Sequence, residues 1–119
     1  MSDIKTFRDL YVWQGAHELT LNIYKVTKLF PKEEKYALVS QIRRAAVSVA
    51  SNIVEGFHRK SLGETMRFYR YSEASLEEVK YQLLVAKDLQ YIDEEIYHHI
   101  IELTNEVGKM LNGWMKAQK

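Results

Sequence analysis

The sequence predicts an all-α protein, an antiparallel up-down-up-down four-helix bundle. Apolar residues recur at alternating steps of three and four along four long segments, which is the spacing of helices that bury one face. Only five glycines and one proline occur in 119 residues, so few positions interrupt these segments. Short connections make consecutive helices antiparallel neighbours. We therefore predict a single bundle domain over residues 1–119.

The first helix is predicted from about residue 8 to 29. Pro31 disfavours helical geometry at Phe30, so the helix must stop there. Glu33 and Glu34 then suit the first turn of the second helix through the helix dipole. Trp13 widens one side of the apolar seam, which comprises Val12, Ala16, Leu19, Ile23, Val26 and Phe30.

The second helix is predicted from about residue 34 to 55, with Gly56 as its C-terminal cap. At about 100° per residue, most of its circumference is apolar and a narrow polar stripe remains. Arg43 falls inside the apolar arc and needs either an exposed edge or a carboxylate or carbonyl partner. Short side chains on the stripe permit close approach of a backbone from within the bundle, from a second subunit or from a bound polymer. The stripe includes Gln41, Arg44, Ser48, Asn52 and Glu55.

The third helix is predicted over about 62–91 and the fourth over about 94–117. Ser61 and Glu64 have the spacing of a capping box before the third helix, and Asp93 is a favourable N-cap for the fourth. The inward positions of the third helix are Phe68, Tyr69, Ser72, Ser75, Leu76, Val79, Leu83, Ala86 and Leu89. Those of the fourth helix are Ile96, Ile100, Leu103, Val107, Met110 and Trp114.

Composition and spacing argue against several kinds of site. Without cysteine, the chain has no disulfide, thiolate metal site or cysteine nucleophile. Adjacent His98 and His99 point about 100° apart on a helix and cannot share a metal, and His17 is expected to pack beside the first seam. The sequence also shows neither the set of inward-facing carboxylates of di-iron bundles nor a glycine-rich phosphate loop. We predict no catalytic residue, no metal and no cofactor.

The hydropathy pattern bears on location. No apolar run approaches the roughly 18–20 residues of a membrane span. The N-terminus carries charges where a signal peptide needs an apolar core. We therefore expect a cytoplasmic protein without membrane contact.

The net charge of +1 hides two segments of opposite sign. Residues 41–70 contain six basic and two acidic side chains, whereas residues 71–106 contain nine acidic and two basic ones. A basic patch beside an aromatic ring can contact phosphates and stack bases, so we predict RNA or DNA binding. The opposite faces of a bundle that binds nothing can show the same asymmetry. The predicted nucleic-acid-binding residues are Arg59, Lys60, Arg67, Arg70 and Tyr71.

Three stretches carry a family resemblance: FRDLYVWQGA at 7–16, the span FP…E.YAL…QIRRAAVSVASNIVEG at 30–56 and SLEEVKYQLLVAKDLQYI at 75–92. The chain resembles the bacterial four-helix-bundle family encoded in intervening sequences of large-subunit rRNA genes, which is sometimes labelled ribosomal. A related branch is the accessory variability protein of diversity-generating retroelements, a pentamer that works with a reverse transcriptase and nucleic acid. The resemblance implies a homopentamer whose partners are RNA or DNA, or a protein such as a polymerase. Ala74 stands where the family usually has glycine, which preserves close helix packing.

The second helix contains the most specific block of this resemblance. We interpret its polar residues and glycine as groups that position helices or subunits: Gln41, Arg43, Arg44, Ser48, Asn52, Glu55 and Gly56. One small bundle is not expected to bury all of its large aromatic side chains, which favours a homo-oligomer. The side chains in question are Trp13, Tyr81 and Trp114. The alternative function is a protein–protein scaffold or accessory factor that makes no direct contact with nucleic acid.

Overall fold

The computed structural model describes residues 3–118, and this part of the chain contains α-helices, 3-10 turns and no strand. Each helix packs against the next, and the fourth closes the ring against the first. The resulting bundle measures 46 × 25 × 19 Å. The predicted fold class is therefore confirmed. The helices are α1 (Tyr11–Val26), α2 (Leu38–Phe57), α3 (Leu62–Asp88) and α4 (Glu94–Lys116).

The apolar seam predicted for α1 lies in the core. All six of its residues are buried, and Leu19 and Ile23 are fully excluded from solvent. Short 3-10 turns at Phe7–Asp9 and Thr27–Leu29 flank the helix, so the α-helical part is shorter than the predicted segment. Leu10 causes the break at the N-terminal side, because its extended backbone (ψ 122°) separates the first 3-10 turn from α1.

The start of α2 lies four residues later than predicted. Ala37 has φ −118° and ψ −102°, which is incompatible with a helix, and a 3-10 turn at Lys32–Glu34 followed by a turn over residues 35–37 precedes α2. The Glu34 carboxylate accepts the backbone N–H of Leu38 at 3.2 Å, so it satisfies one of the free donors at the start of α2. Glu34 thus stabilises the start of α2, although Glu34 itself lies outside the helix.

Gly56 is not the C-terminal cap of α2. The helix continues to Phe57, and His58 takes the cap position. Gly56 is buried, and a Cβ atom built on it would lie 2.5 Å from Cε1 of Tyr69 and 3.1 Å from the backbone oxygen of Thr65. Glycine is therefore required here by the close approach of α3, and a left-handed backbone plays no part.

The end of α3 is a Schellman motif, in which two N–H groups beyond the helix bond back to its last turn. The N–H of Tyr91 donates to the Ala86 oxygen at 2.9 Å, and that of Gln90 donates to the Lys87 oxygen at 2.9 Å. Gln90 takes the left-handed conformation with φ 65°. Because the helix stops at Asp88, Leu89 turns outward and is 52% exposed, so its predicted inward position is wrong.

The predicted N-caps of α3 and α4 are confirmed. The Ser61 hydroxyl accepts the N–H of Glu64 at 3.2 Å, and the Asp93 carboxylate accepts the N–H of Ile96 at 2.8 Å. The centre of the buried face of α4 is displaced from the predicted seam, however. Residues predicted to face inward, such as Leu103 and Met110, flank that face and are only partly buried. The buried positions are Ile100, Thr104, Val107, Leu111 and Met115.

Both tryptophans are accommodated within the bundle. Trp114 donates its indole N–H to the Tyr69 hydroxyl at 2.9 Å, and Trp13 is half-buried and stacks on His17 at a centroid distance of 4.9 Å. Only Tyr81 of the three aromatics that favoured an oligomer is strongly exposed, at 66%. Within residues 3–118, none of the helices has the length and apolar character needed to cross a membrane.

Candidate nucleic-acid interface

The polar stripe of α2 faces α3 over part of its length. The hydroxyls of Ser48 and Ser75 are hydrogen-bonded at 2.9 Å, and the Asn52 amide donates to the Ser48 hydroxyl at 3.0 Å. The buried Ser72 hydroxyl donates to the backbone oxygen of Val49 at 2.7 Å. These short side chains let the two helices approach closely and also satisfy each other's polar groups. Ser48 is thus hydrogen-bonded across to α3, and Asn52 bonds to Ser48 within α2.

Arg43 finds its partners on the end of α1. Its Nε donates to the Thr27 hydroxyl at 2.8 Å, and one Nη donates to the backbone oxygen of Tyr24 at 3.3 Å. The guanidinium also lies over the Tyr24 ring, 4.5 Å from its centroid. Arg43 thus ties α2 to α1 within one chain and is partly buried, as its place in the apolar arc indicates.

The remaining residues interpreted as positioning groups lie nearer solvent. Gln41 and Arg44 are exposed on the outer side of α2. Glu55 forms a salt bridge with Arg59 one turn later, and both side chains are substantially exposed. Of the seven residues, Arg43 and Ser48 form hydrogen bonds outside α2 and Gly56 lies against α3, while the Asn52 amide bonds to Ser48 within α2.

The loop after α2 and the first turns of α3 bring together a cation–aromatic cluster, defined here as Arg59, Arg67, Phe68 and Tyr71. The guanidiniums of Arg59 and Arg67 lie 4.7 and 5.5 Å from the centroid of the Phe68 ring. The Tyr71 ring meets Phe68 edge-on at 5.7 Å and is 48% exposed. Two cations are thus held beside an accessible aromatic face.

Phe68 is the member of the cluster that sequence reasoning missed, because its position was interpreted as part of the core. It is only half-buried and organises both arginines. The spacing of Phe68 and Tyr71, three residues apart on one helix, places the rings side by side and is the signal from which this pair could have been found. The sequence does not reveal that Arg59 folds back from the loop onto the same ring.

The other two predicted nucleic-acid-binding residues, Lys60 and Arg70, are not members of this cluster. Lys60 is exposed in the loop next to Arg59. Arg70 points about 100° away from Tyr71 around α3 and lines a groove between α3 and α4 together with Glu73 and Glu77. Arg70 therefore belongs to a different surface of mixed charge.

The positive charge of the cluster favours an anion, but the Glu55 carboxylate balances part of this charge. The Glu55 carboxylate engages Arg59, and an exposed ion pair of this kind contributes about 0–1 kcal/mol to stability. A phosphate can therefore replace Glu55 at little energetic cost. Arg67 has a cation–π contact and no carboxylate partner among the ion pairs of the described residues.

The fold and this surface define an all-α bundle protein with an exposed cation–aromatic cluster beside its α2–α3 loop. The chain belongs to the 23S rRNA-intervening sequence protein family, whose model matches residues 8–113. This confirms the family resemblance carried by its sequence motifs. The match extends over all four helices except the last residues of α4.

The fold is also similar to a crystal structure of a protein of unknown function from the S23 ribosomal protein family of Bacteroides thetaiotaomicron. The two chains are 23% identical with a TM-score of 0.79, and the match covers 88% of this chain and 98% of the other. At this identity the likeness establishes the fold alone. No curated protein matches the chain.

Proposed function

We propose that this protein is a non-enzymatic cytoplasmic protein that binds single-stranded RNA or DNA through the cation–aromatic cluster. The observation that carries the proposal is the placement of two guanidiniums on one phenylalanine ring beside a half-exposed tyrosine. Arginine contacts phosphates as a planar fork, and an exposed aromatic face stacks bases of any identity. Lys60 adds a further cation to the same loop.

Each member of the cluster has a distinct part in this proposal. Arg59 and Arg67 neutralise successive phosphates, while Phe68 holds their long side chains near the surface and lowers the entropy lost on binding. Tyr71 supplies the stacking face. Glu55 competes with the phosphate for Arg59, so it weakens binding and keeps Arg59 oriented when no ligand is present.

The test is fluorescence anisotropy with a labelled single-stranded oligonucleotide, in RNA and DNA forms, at low salt. Arg67→Gln is expected to weaken binding by roughly tenfold, the cost of about one charge-assisted contact. Arg70→Gln is the matched control, because it removes the same charge from the same helix on a surface outside the cluster. Equal losses for the two variants, or no binding by the native protein, would refute the proposal.

Glu55→Gln is expected to change the oligonucleotide affinity in the opposite direction, which makes it a more specific test. This change removes an anion and frees Arg59, so binding is expected to tighten several-fold. Weaker binding would instead mean that Glu55 is needed to hold Arg59 in place. Circular dichroism establishes that each variant remains folded.

We further propose that the protein is a homo-oligomer, with a pentamer as the expected form. The supporting observation is that several large side chains remain exposed on a small bundle: Tyr11 at 78%, Tyr81 at 66%, Leu21 at 57% and Leu29 at 58%. Light scattering is expected to give about five times the 14.0 kDa chain mass. A monomer mass at micromolar concentration would overturn this part.

The alternative function is a scaffold that binds a protein such as a polymerase and has no direct contact with nucleic acid. Affinity capture from a cytoplasmic extract separates the two functions when it is repeated after nuclease treatment. Partners held through nucleic acid are lost on treatment, whereas partners of a scaffold are retained.

A further inference from the structure

A second surface rich in cations and aromatic rings lies at the opposite end of α2, where the α1–α2 connection meets the first turns of the helix. It is a groove of about 480 Å³, which we call the Tyr36 groove. This volume lies within the range of small-molecule sites in proteins, about 300–1,000 Å³. The polar and aromatic residues that line it are Tyr24, Lys35, Tyr36, Ser40, Arg43 and Arg44.

The groove carries three cations, and none of the described residues that line it is acidic. The nearest carboxylate in sequence, that of Glu34, is bound elsewhere: it accepts the Tyr91 hydroxyl at 2.7 Å and the N–H of Leu38 at 3.2 Å. The groove between α3 and α4 differs, because Glu73 and Glu77 there oppose its cations. The Tyr36 groove is therefore the more selective of the two for an anion.

The aromatic rings are already paired with cations. The Lys35 ammonium lies 5.3 Å from the Tyr36 ring centroid, and the Arg43 guanidinium lies 4.5 Å from that of Tyr24. The Tyr36 side chain is 87% exposed, so a face of its ring is open to a planar ligand. An exposed aromatic residue beside cations is the arrangement that stacks a base while it binds the attached phosphate.

The Arg43 guanidinium is held in place before any ligand binds. The Thr27 hydroxyl and the Tyr24 carbonyl fix its Nε and one Nη, and no hydrogen bond within residues 3–118 uses the other Nη. A cation fixed in this way loses little conformational entropy when it binds an anion. Arg44 follows directly on the same helix, is exposed and lines the same groove.

We propose that the Tyr36 groove binds a nucleoside monophosphate unit, with its phosphate on Arg43, Arg44 and Lys35 and its base stacked on Tyr36. This site is separate from the cation–aromatic cluster, since Arg44 and Glu55 lie about 16 Å apart along α2 at 1.5 Å per residue. It therefore does not depend on the proposed function. The same chemistry is offered by a free mononucleotide and by the terminal nucleotide of a strand.

Isothermal titration with AMP, adenosine and inorganic phosphate as separate probes tests the proposal. AMP is expected to bind at least tenfold more tightly than either fragment, because only AMP engages both the cations and the ring. Tyr36→Ala and Arg44→Gln are each expected to weaken AMP binding at least tenfold, while Tyr36→Phe retains it. The matched controls are Tyr11→Ala, an exposed tyrosine on α1, and Arg70→Gln, an arginine of the α3–α4 groove, and both should bind AMP as the native protein does.

The source of the nucleotide is distinguished with Arg59→Gln/Arg67→Gln protein, in which the cation–aromatic cluster is disabled. If a strand with a 5′-phosphate binds this double variant and the same strand with a 5′-hydroxyl does not, the ligand is the end of a strand. AMP binding without binding of either strand identifies a free nucleotide.

AMP binding that is unchanged by Tyr36→Ala and Arg44→Gln, or no AMP binding by the native protein, would overturn the proposal. If the native protein does not bind AMP and Tyr36→Ala changes the mass measured by light scattering, the groove is instead a surface for self-association. Loss of oligonucleotide binding by Arg59→Gln/Arg67→Gln with AMP binding intact separates this site from the proposed function.

Discussion

Replacement of Gly56 by alanine is expected to destabilise the bundle, although alanine is the better helix former. Gly56 lies within α2, where Gly→Ala alone contributes about 1 kcal/mol of stability. The added Cβ atom would lie 2.5 Å from Cε1 and 2.7 Å from Cδ1 of Tyr69, well inside contact distance. The sign of the effect therefore depends on whether the tyrosine ring can move.

The Tyr69 ring has little freedom to move. It is 1% exposed, and its hydroxyl accepts the Trp114 indole N–H at 2.9 Å. The Thr65 backbone oxygen, 3.1 Å from the new Cβ atom, closes a second side. Overpacking of a rigid site costs about 1–3 kcal/mol, and we take the upper half of this range. After the gain in helix propensity, the net loss in the free energy of unfolding is about 1–2 kcal/mol.

Urea unfolding followed by far-ultraviolet circular dichroism, at one protein concentration, measures this loss. Two other glycines serve as matched controls. Gly113→Ala meets no atom within 4 Å and should stabilise the protein by up to about 1 kcal/mol. Gly15→Ala meets the mobile Cε end of Met110 at 2.5 Å and should be near neutral. If Gly56→Ala is as stable as Gly113→Ala, the tight α2–α3 contact does not exist as described.

Three further changes test other parts of the structure. Gln90→Gly should stabilise the protein by up to about 1 kcal/mol in the same urea assay, because glycine adopts the left-handed Schellman position (φ 65°) without strain; destabilisation would contradict the motif. Gln82→Leu should raise the free energy of unfolding by about 1 kcal/mol, since the buried Oε1 of Gln82 has no hydrogen-bond partner within residues 3–118; a loss would mean that this amide is satisfied. Burial raises the pKa of Tyr69 above its ordinary 10.0, and the hydrogen bond to Glu34 raises the pKa of Tyr91. The folded state thus keeps protons that the unfolded state releases, so stability should fall as pH rises above about 10, and Tyr91→Phe should reduce that fall. An unfolding free energy that does not change between pH 9 and 11 would contradict these shifts.

The sequence predicts the fold well because the fold depends on periodicity and capping. The α1 seam, the Ser61 and Asp93 caps and the order of the helices all follow from local residue types. Local rules fail where tertiary contact decides the outcome. Gly56 resembles a helix cap in sequence, but a tyrosine from another helix sets its role. Leu89 continues the apolar pattern of α3 beyond the point where the Schellman motif ends the helix.

The candidate sites were less predictable because they depend on side chains from separate elements. Arg59 was identified from the charge of its loop, but its contact with Phe68 requires the loop to fold back onto α3. Arg70 was placed in the same patch by its spacing from Arg67, although the two side chains line different surfaces of the bundle. The Tyr36 groove combines residues from α1, from the α1–α2 connection and from α2. Charge counts over windows of the sequence do not detect such a combination.

The salt dependence of single-stranded oligonucleotide binding tests the central claim most directly. Each phosphate contact contributes about 0.7 to the slope of log Kobs against log salt concentration for a single strand. Loss of two arginine contacts in Arg59→Gln/Arg67→Gln should therefore reduce the slope by about 1.4, whereas Arg70→Gln should leave it almost unchanged. An identical slope for the native protein and the double variant would contradict the assignment of nucleic-acid binding to the cation–aromatic cluster.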